Sequence, residues 1–268
     1  VLSIVVTQLN VYPVKSCGGI PLNEVYVEPK GFRHDRRWLV TDLEGMFLTQ
    51  RELPRMALIQ TALTADHLVL RAPDMGEQQI AFGQTGAAQA VTIWKNIGVG
   101  AVDQGDGVAG WLSDHLKTPV RLVRFADDAV RQVDQRYAPR TTDQVGFADG
   151  YPFLVISEES LVDLNNRLDE PLPMNRFRPN IVVRETTAYA EDGWKHMRVG
   201  GRVTFELVKQ CARCAITTTD QVTAQRGKEP LRTLAQYRDS ERGVLFGQNM
   251  TSNDQGVVRV GDAVEVMG

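Results

Sequence analysis

The sequence predicts a mainly β, α+β fold, made of barrels or barrel-like sheets with a few helices at their ends. Two observations carry this. Short segments with apolar residues at every second position dominate the chain, and only three stretches show a helical stripe. Strands and helices do not alternate as a doubly wound sheet would require. The 268 residues suffice for one large domain or two medium ones, with a sizeable buried core.

In chain order, "VLSIVVTQLNVYPVK" opens with a short apolar run and no basic leader, so it reads as a buried strand rather than a signal peptide or membrane span. "EVYVE" (24–28) alternates and forms the next strand. "RWLVTDLEGMFLTQ" is two strand-like runs around Leu43-Glu44-Gly45, which predicts a hairpin. "AVTIW" (90–94) alternates again. Glycine-rich stretches around it, and the new strand "VRLVRFA", place a domain boundary between residues 100 and 125. In "DGVAGWLSDHLK", Val108, Trp111, Leu112 and Leu116 share a helical face. In "SEESLVDLNNRL", Ser157 caps, Glu158 and Glu159 suit the first turn, and Leu161, Leu164 and Leu168 make the stripe. "RVTFELV" turns Val203, Phe205 and Leu207 one way and Thr204 and Glu206 the other. "EPLRTLAQYR" predicts a third helix, with Pro230 near its start and Leu231, Leu234 and Ala235 on one side. "VVRV" (257–260) and "AVEVM" (263–267) close the chain as strands.

Charge narrows the partners. A net charge of −3 gives no reason to expect nucleic acid or an anionic membrane, so any anion site is local. Three cysteines make no disulfide framework, and reduced thiols of a cytoplasmic protein are the simplest reading.

Five segments hold residue types suited to chemistry. "CARC" sets Cys211 and Cys214 two residues apart. A zinc site would need a second half-site, and His34, His67, His115 and His196 are scattered. A thioredoxin-like pair would need a helix N-terminus, and the β-branched "AITTTD" starts a helix poorly. Buried structural cysteines are the plain alternative. Lys209 and Arg213 favour a thiolate, which is a good soft ligand for a transition metal. In "YPVKSCGGI", Lys15, Ser16 and free N–H groups held open by Gly18 and Gly19 would seat an anion, although on this segment alone an ordinary strand end with a snorkelling lysine is favoured. In "FRHDRRWLV", alternation sends Arg36 with Trp38 to one side and Arg37 to the other; a buried arginine there would need a carboxylate or phosphate. In "NRFRPNIVV", Arg176 and Arg178 alternate around Phe177, and with Asn180 they suit a phosphate or polar heterocycle. In "FADGYPF", Asp149 fits an Asx-turn or, close to a metal, a proton relay. Together these segments suit a phosphorylated cofactor whose metal brings sulfur ligands of its own.

These segments, with "LFGQN" and "VVRVGDAVEV", occur in the order found in the MOSC-domain proteins, and the chain resembles that family over nearly its whole length. Within it the resemblance is to the YcbX type and its eukaryotic relatives, the mitochondrial amidoxime-reducing components. The resemblance implies an N-terminal MOSC β-barrel domain (1–120) and a MOSC β-barrel domain with peripheral helices (121–268). It implies molybdenum cofactor, a molybdopterin whose dithiolene supplies two sulfurs, with Cys214 rather than Cys211 as protein metal ligand. It places cofactor-holding roles on Lys15, Ser16, Arg36, Arg178 and Asn180, with Arg213 a nearby positive group and Asp149 near the metal. The implied activity is reduction of N-hydroxylated compounds, such as hydroxylamines, amidoximes and N-hydroxylated base analogues. A non-catalytic carrier of the cofactor or its sulfur is the alternative. The chain closes at "VEVMG" without the cysteines of a fused ferredoxin domain, so electrons are expected from a separate flavin reductase or ferredoxin-type protein. The stretch "TTTDQVTAQRGKEP" departs from the family's "TTVDP", so substrate preference does not transfer.

Overall fold

Burial follows the predicted alternation in the strand Glu24–Glu28 and at the start of Val203–Ala212, while central strands such as Phe153–Ser157 are buried on both faces. The strand Glu24–Glu28 buries Val25 and Val27 and leaves Glu24 in water; Val203–Ala212 buries Val203 and Phe205. The computed structural model describes residues 3–268. Its largest sheet has eight strands in the order Val264–Met267, His196–Val199, Val203–Ala212, Leu245–Thr251, Phe153–Ser157, Ile181–Arg184, Val5–Val11 and Ile20–Leu22. A second sheet joins Trp38–Thr41, Arg121–Phe125, Asn96–Asp103 and Ala88–Ile93. Two three-stranded sheets complete a mainly β architecture.

Pairing runs across residue 120. Val5–Val11 lies against Ile181–Arg184, Trp38–Thr41 against Arg121–Phe125, and Glu24–Glu28 against Gly256–Arg259. Residues 4–6 also bond to residues 261–264, as in Val6 N–H to Asp262 O (3.0 Å) and Val264 N–H to Ile4 O (2.7 Å). The core of the large sheet packs Phe32, Phe153 and Phe205 edge-on, with centroids 5.2 and 5.1 Å apart. Each such pair contributes about 1 kcal/mol beyond its buried area. The helix Asp106–Leu116 lays Val108, Trp111, Leu112 and Leu116 on a second core around Trp38, Leu68 and Ile80, as its stripe predicts.

One pairing positions the site. Phe153–Ser157 and Ile181–Arg184 are parallel, which demands a crossover, and the helix Glu158–Asn165 supplies it. Ser157 caps that helix by accepting from Ser160 N–H. Parallel strands start at the same sheet edge, so the turn holding Asp149 and the segment holding Arg178 and Asn180 arrive together. Val5–Val11 is antiparallel to its neighbour and ends at that edge, delivering Lys15 and Ser16.

Four expectations are corrected. The hairpin's turn forms, with Gly45 at φ +81° and the Asp42 carboxylate accepting from Glu44 and Met46 N–H. Its second arm is no regular strand, because Phe47 N–H turns to Thr92 O of a different strand. The third helix is confined to Leu231–Leu234. Beyond it, hydrogen bonds slip to three-residue spacing (Tyr237 N–H to Leu234 O), and Ala235 is exposed. Finally, Arg36 (φ 46°) and Arg178 (φ 56°) stand in left-handed backbone outside the strands, so alternation does not orient either.

Candidate cofactor site

Tyr12 lies beneath the arginines of the site, as their floor. Its ring is buried, its hydroxyl donates to Pro179 O (3.1 Å), and burial pushes the phenol up to about 12. The guanidinium carbons of Arg36 and Arg178 stand 4.3 and 4.2 Å from its ring centroid, a cation–π arrangement. Gly19 is required by the same ring: a Cβ there would lie 2.4 Å from Tyr12 Cε1. Arg36 donates to Asp35 (2.6 Å) and to Asn180 Oδ1 (3.1 Å). Arg178 donates to Cys17 O (2.7 Å), and burial, with Arg36 next, lowers it to about 10.

Lys15 emerges beside this floor, buried, with its ammonium on Asp149. Burial lowers Lys15 to about 8 against the support of Asp149. Burial raises the Asp149 carboxyl, but Lys15 and then Arg51 outweigh it and hold it well below the usual range. The Asp149 side chain is 55% exposed, so water screens the pair. Of the amides expected to seat an anion, those of Lys15, Cys17 and Gly18 already serve Trp38 O, Val14 O and Ile59 O. Positive charge at this end comes from the side chain. Ser16 is buried in left-handed backbone (φ 67°).

The two thiols differ. The strand that leads to them shifts register between Leu207 and Lys209 and again between Gln210 and Ala212, and such bulges re-aim a strand end. Cys211 packs partly against the core of Phe177 and Phe246 and accepts from Arg213 Nη1 (2.9 Å). Arg213 also donates to Phe177 O (2.6 Å). Cys214 stands at the start of a short 3-10 turn, Ala215–Thr218, and accepts from Arg51 Nη2 (3.4 Å). All three cysteines are free thiols.

Lys15, Ser16, Arg36, Asp149, Arg178, Asn180, Arg213 and Cys214 all line one cleft of ≈ 130 Å³. Arg176 does not join them; it pairs with Asp220 (3.0 Å). The cleft opens past Asp149, Tyr151 and Cys211 into a groove of ≈ 1270 Å³ between Trp94 and Lys209. Three contributors were not legible in the sequence. Arg51 reaches Cys214; Trp94 donates to Asp149 Oδ1 (3.1 Å); and buried Arg131 holds the Asp149 turn by donating to the carbonyls of Gly146, Ala148 and Asp149.

Unspent hydrogen-bonding capacity tests the fit of an anionic cofactor. Arg178 Nη2, Arg213 Nε and the Tyr151 hydroxyl lack partners among the described residues, and no carboxylate pairs with Arg178 or Arg213. Unpaired buried cations call for an anion. No trio of His, Cys, Asp or Glu gathers for a metal among the described residues, so Cys214 suits a metal that arrives with other ligands. A mainly β protein that closes a cationic cleft around free thiols, Cys214 with Cys211 beside it, defines a class of cofactor-holding protein.

The sequence comparisons agree with that class. Residues 3–119 match the MOSC N-terminal beta barrel domain, and residues 142–265 match the MOSC domain. The chain is 37% identical over 283 residues to mitochondrial amidoxime-reducing component 1 of Homo sapiens, covering 98% of this chain and 83% of that one. Against human mitochondrial amidoxime reducing component 2 it is 36% identical over 278 residues, covering 97% and 82%. Among solved structures, the YuaD protein of Bacillus subtilis aligns over 99% of this chain at 10% identity, with a TM-score of 0.45. The chain belongs to the MOSC family and is homologous to its mitochondrial amidoxime-reducing components. Among the described residues, no helix is long and apolar enough to cross a membrane.

Proposed function

We propose that this chain is a molybdenum cofactor-dependent reductase of N-hydroxylated compounds: hydroxylamines, amidoximes and N-hydroxylated base analogues. The observation that carries the proposal is the convergence of residues from five separate segments on one cleft, with donors left unpaired and free thiols in its lining. The names of the homologues support the reaction class.

In this reading Lys15, Arg36 and Arg178 hold the phosphate and polar edge of the pterin. Ser16 and Asn180 line the same seat, and Arg213 adds positive charge. Cys214 supplies the protein thiolate to the metal. When bound, the cofactor supplies a sulfur-ligated molybdenum that accepts oxygen from the substrate's N–O bond. Each bond broken consumes two electrons and two protons and yields amine or amidine and water. Electrons come from a separate flavin reductase or ferredoxin-type protein. Lys15 Nζ, lowered to about 8 by burial, would exchange the proton, and Asp149, held ionised beside it, would accept its hydrogen bond and orient the relay. The free thiols support a reducing, cytoplasmic setting.

The test is elemental and pterin analysis of protein from a cofactor-competent host, with turnover of a hydroxylamine from a reduced dye. Cofactor with turnover upholds the reductase. Cofactor without turnover gives the carrier reading, and stoichiometric zinc without pterin defeats both.

A further inference from the structure

We infer that Arg51 is a positioning residue for the Cys214 sulfur, and that the loop at 220–227 holds Arg51 in that place. The inference rests on the reading of Cys214 as the protein thiolate of the site.

The Arg51 guanidinium is fixed from several directions. Nη2 stands 3.4 Å from Cys214 Sγ and 3.9 Å from Asp149 Oδ2, so one nitrogen faces both the thiol and the acid of the cleft. Nη1 is 3.4 Å from Thr49 Oγ1, and the guanidinium carbon lies 4.5 Å from the Trp94 ring centroid. Trp94 in turn donates to Asp149. A planar cation stacked on an aromatic face has little freedom to rotate, so its N–H vector toward sulfur is set in advance. A cysteine has one side-chain torsion that places its sulfur, and a donor at this distance favours one of its rotamers.

The backbone beneath Arg51 is held just as firmly, by the stretch that departs from the family pattern. Arg226 donates to the carbonyls of Gln50 and Arg51. The Gln50 and Gln221 amides pair reciprocally, at 3.2 and 3.1 Å. Gln50 also donates to Ser16 O (2.7 Å), which ties the turn to the lysine end of the cleft. Asp220 anchors the loop by accepting from Val222 and Thr223 N–H and from Arg176. A continuous set of bonds therefore runs from Arg176 through the loop to Arg51 and the thiol. This gives Arg176, which stays outside the cleft, a structural place in it. Partners of metal ligands that act this way typically change affinity or activity 10–100-fold when removed.

The test compares Arg51→Met, Arg51→Lys and Arg226→Ala with the parent chain. In cofactor-free protein, iodoacetamide labelling of Cys214 is read by peptide mass against Cys211 in the same molecule. Arg51→Met is expected to change the Cys214:Cys211 ratio by about tenfold, Arg51→Lys to restore much of it, and Arg226→Ala to shift it in the same direction by less. In loaded protein, Arg51→Met is expected to shift the sulfur-to-metal absorption while molybdenum content holds. An unchanged ratio and spectrum in Arg51→Met overturn the inference. If that variant does not fold, an unchanged ratio in Arg226→Ala overturns the role of the loop, and a shift upholds it. A changed ratio in Arg51→Met, with a parent chain that never binds molybdenum, upholds the Arg51 contact and removes the reductase reading instead.

Discussion

Two cationic clefts meet at Arg36 and Arg37, and they differ in how their arginines are answered. On the Arg37 side, a cleft of ≈ 340 Å³ gathers Lys30, Arg33, Arg37 and Arg124. Arg33 and Arg37 both pair with Glu28 at 3.0 Å, Arg124 pairs with Asp127 at 2.7 Å, and Lys30 donates to Ala129 O. Single nitrogens of Arg37 and Arg124 stay unpartnered, but all three arginines are answered by carboxylates, which leaves only Lys30 on a carbonyl. On the Arg36 side, Arg178 and Arg213 have no such carboxylate, and Arg131 spends its donors on carbonyls. Backbone conformation separates the clefts too. Ser16, Arg36 and Arg178 hold left-handed backbone at one, and His34 at the other. Each costs about 1 kcal/mol or more. The number of cations does not mark an anion site; the charge left unanswered does.

The largest effect that would break this comparison is at the thiols. Cys214→Ala is expected to abolish bound molybdenum and turnover, while Cys211→Ala keeps both. Metal analysis alongside activity decides it, and equal behaviour of the two variants would remove the ligand assignment. Next comes the unanswered charge. Arg178→Met removes a buried charge-assisted donor worth roughly 1.5–3 kcal/mol, so pterin retention should fall about 10–100-fold. Retention after gel filtration measures it. Arg37→Met, one residue from Arg36, should leave retention unchanged.

The pH response is smaller and has two signs. Lys15 is lowered from 10.5 to about 8 in the folded chain. Between these values the unfolded chain binds more protons, so stability rises with pH across that window. Anion retention runs the other way and falls as Lys15 loses its charge above about 8. Lys15→Met should flatten both trends, read by thermal melts of apo-protein and by pterin retention. The smallest effect belongs to the answered cleft. Glu28→Gln should cost about 1 kcal/mol or less in a denaturant melt and leave pterin untouched.

Local patterns made several strands and two of the helices legible in the sequence and marked five segments suited to chemistry; the resemblance picked out the eight residues of one cleft. Those residues lie in short segments whose types already suited an anion or a metal. Arg51 was not legible, because "TQREL" has no spacing signal and its contact with Cys214 spans 163 positions. Trp94 was absorbed into an alternating strand, yet it lies beyond Ala88–Ile93 with φ 53° and faces Asp149. The third helix misled because its propensity is intact; tertiary bonds end it. Tyr237 turns to the Tyr189 hydroxyl (2.8 Å), and Arg238 to Asp192. The glycines of "YPVKSCGGI" were tied to free amides, whereas Gly19 makes room for a ring.

The bonds between residues 4–6 and 261–264 have a consequence for biosynthesis. A ribosome releases Val5–Val11 long before its partners at 181–184 and 261–264 exist, so this strand waits for most of the domain to be fully paired. Such distant pairing makes folding slow, and it leaves a sheet edge open on the nascent chain. Lys15 and Ser16 leave the end of that same strand, so the seat for the cofactor closes only after Cys214 has emerged. Loading then follows translation, and a chain stalled before residue 261 would leave the tunnel with its first strand still unlatched.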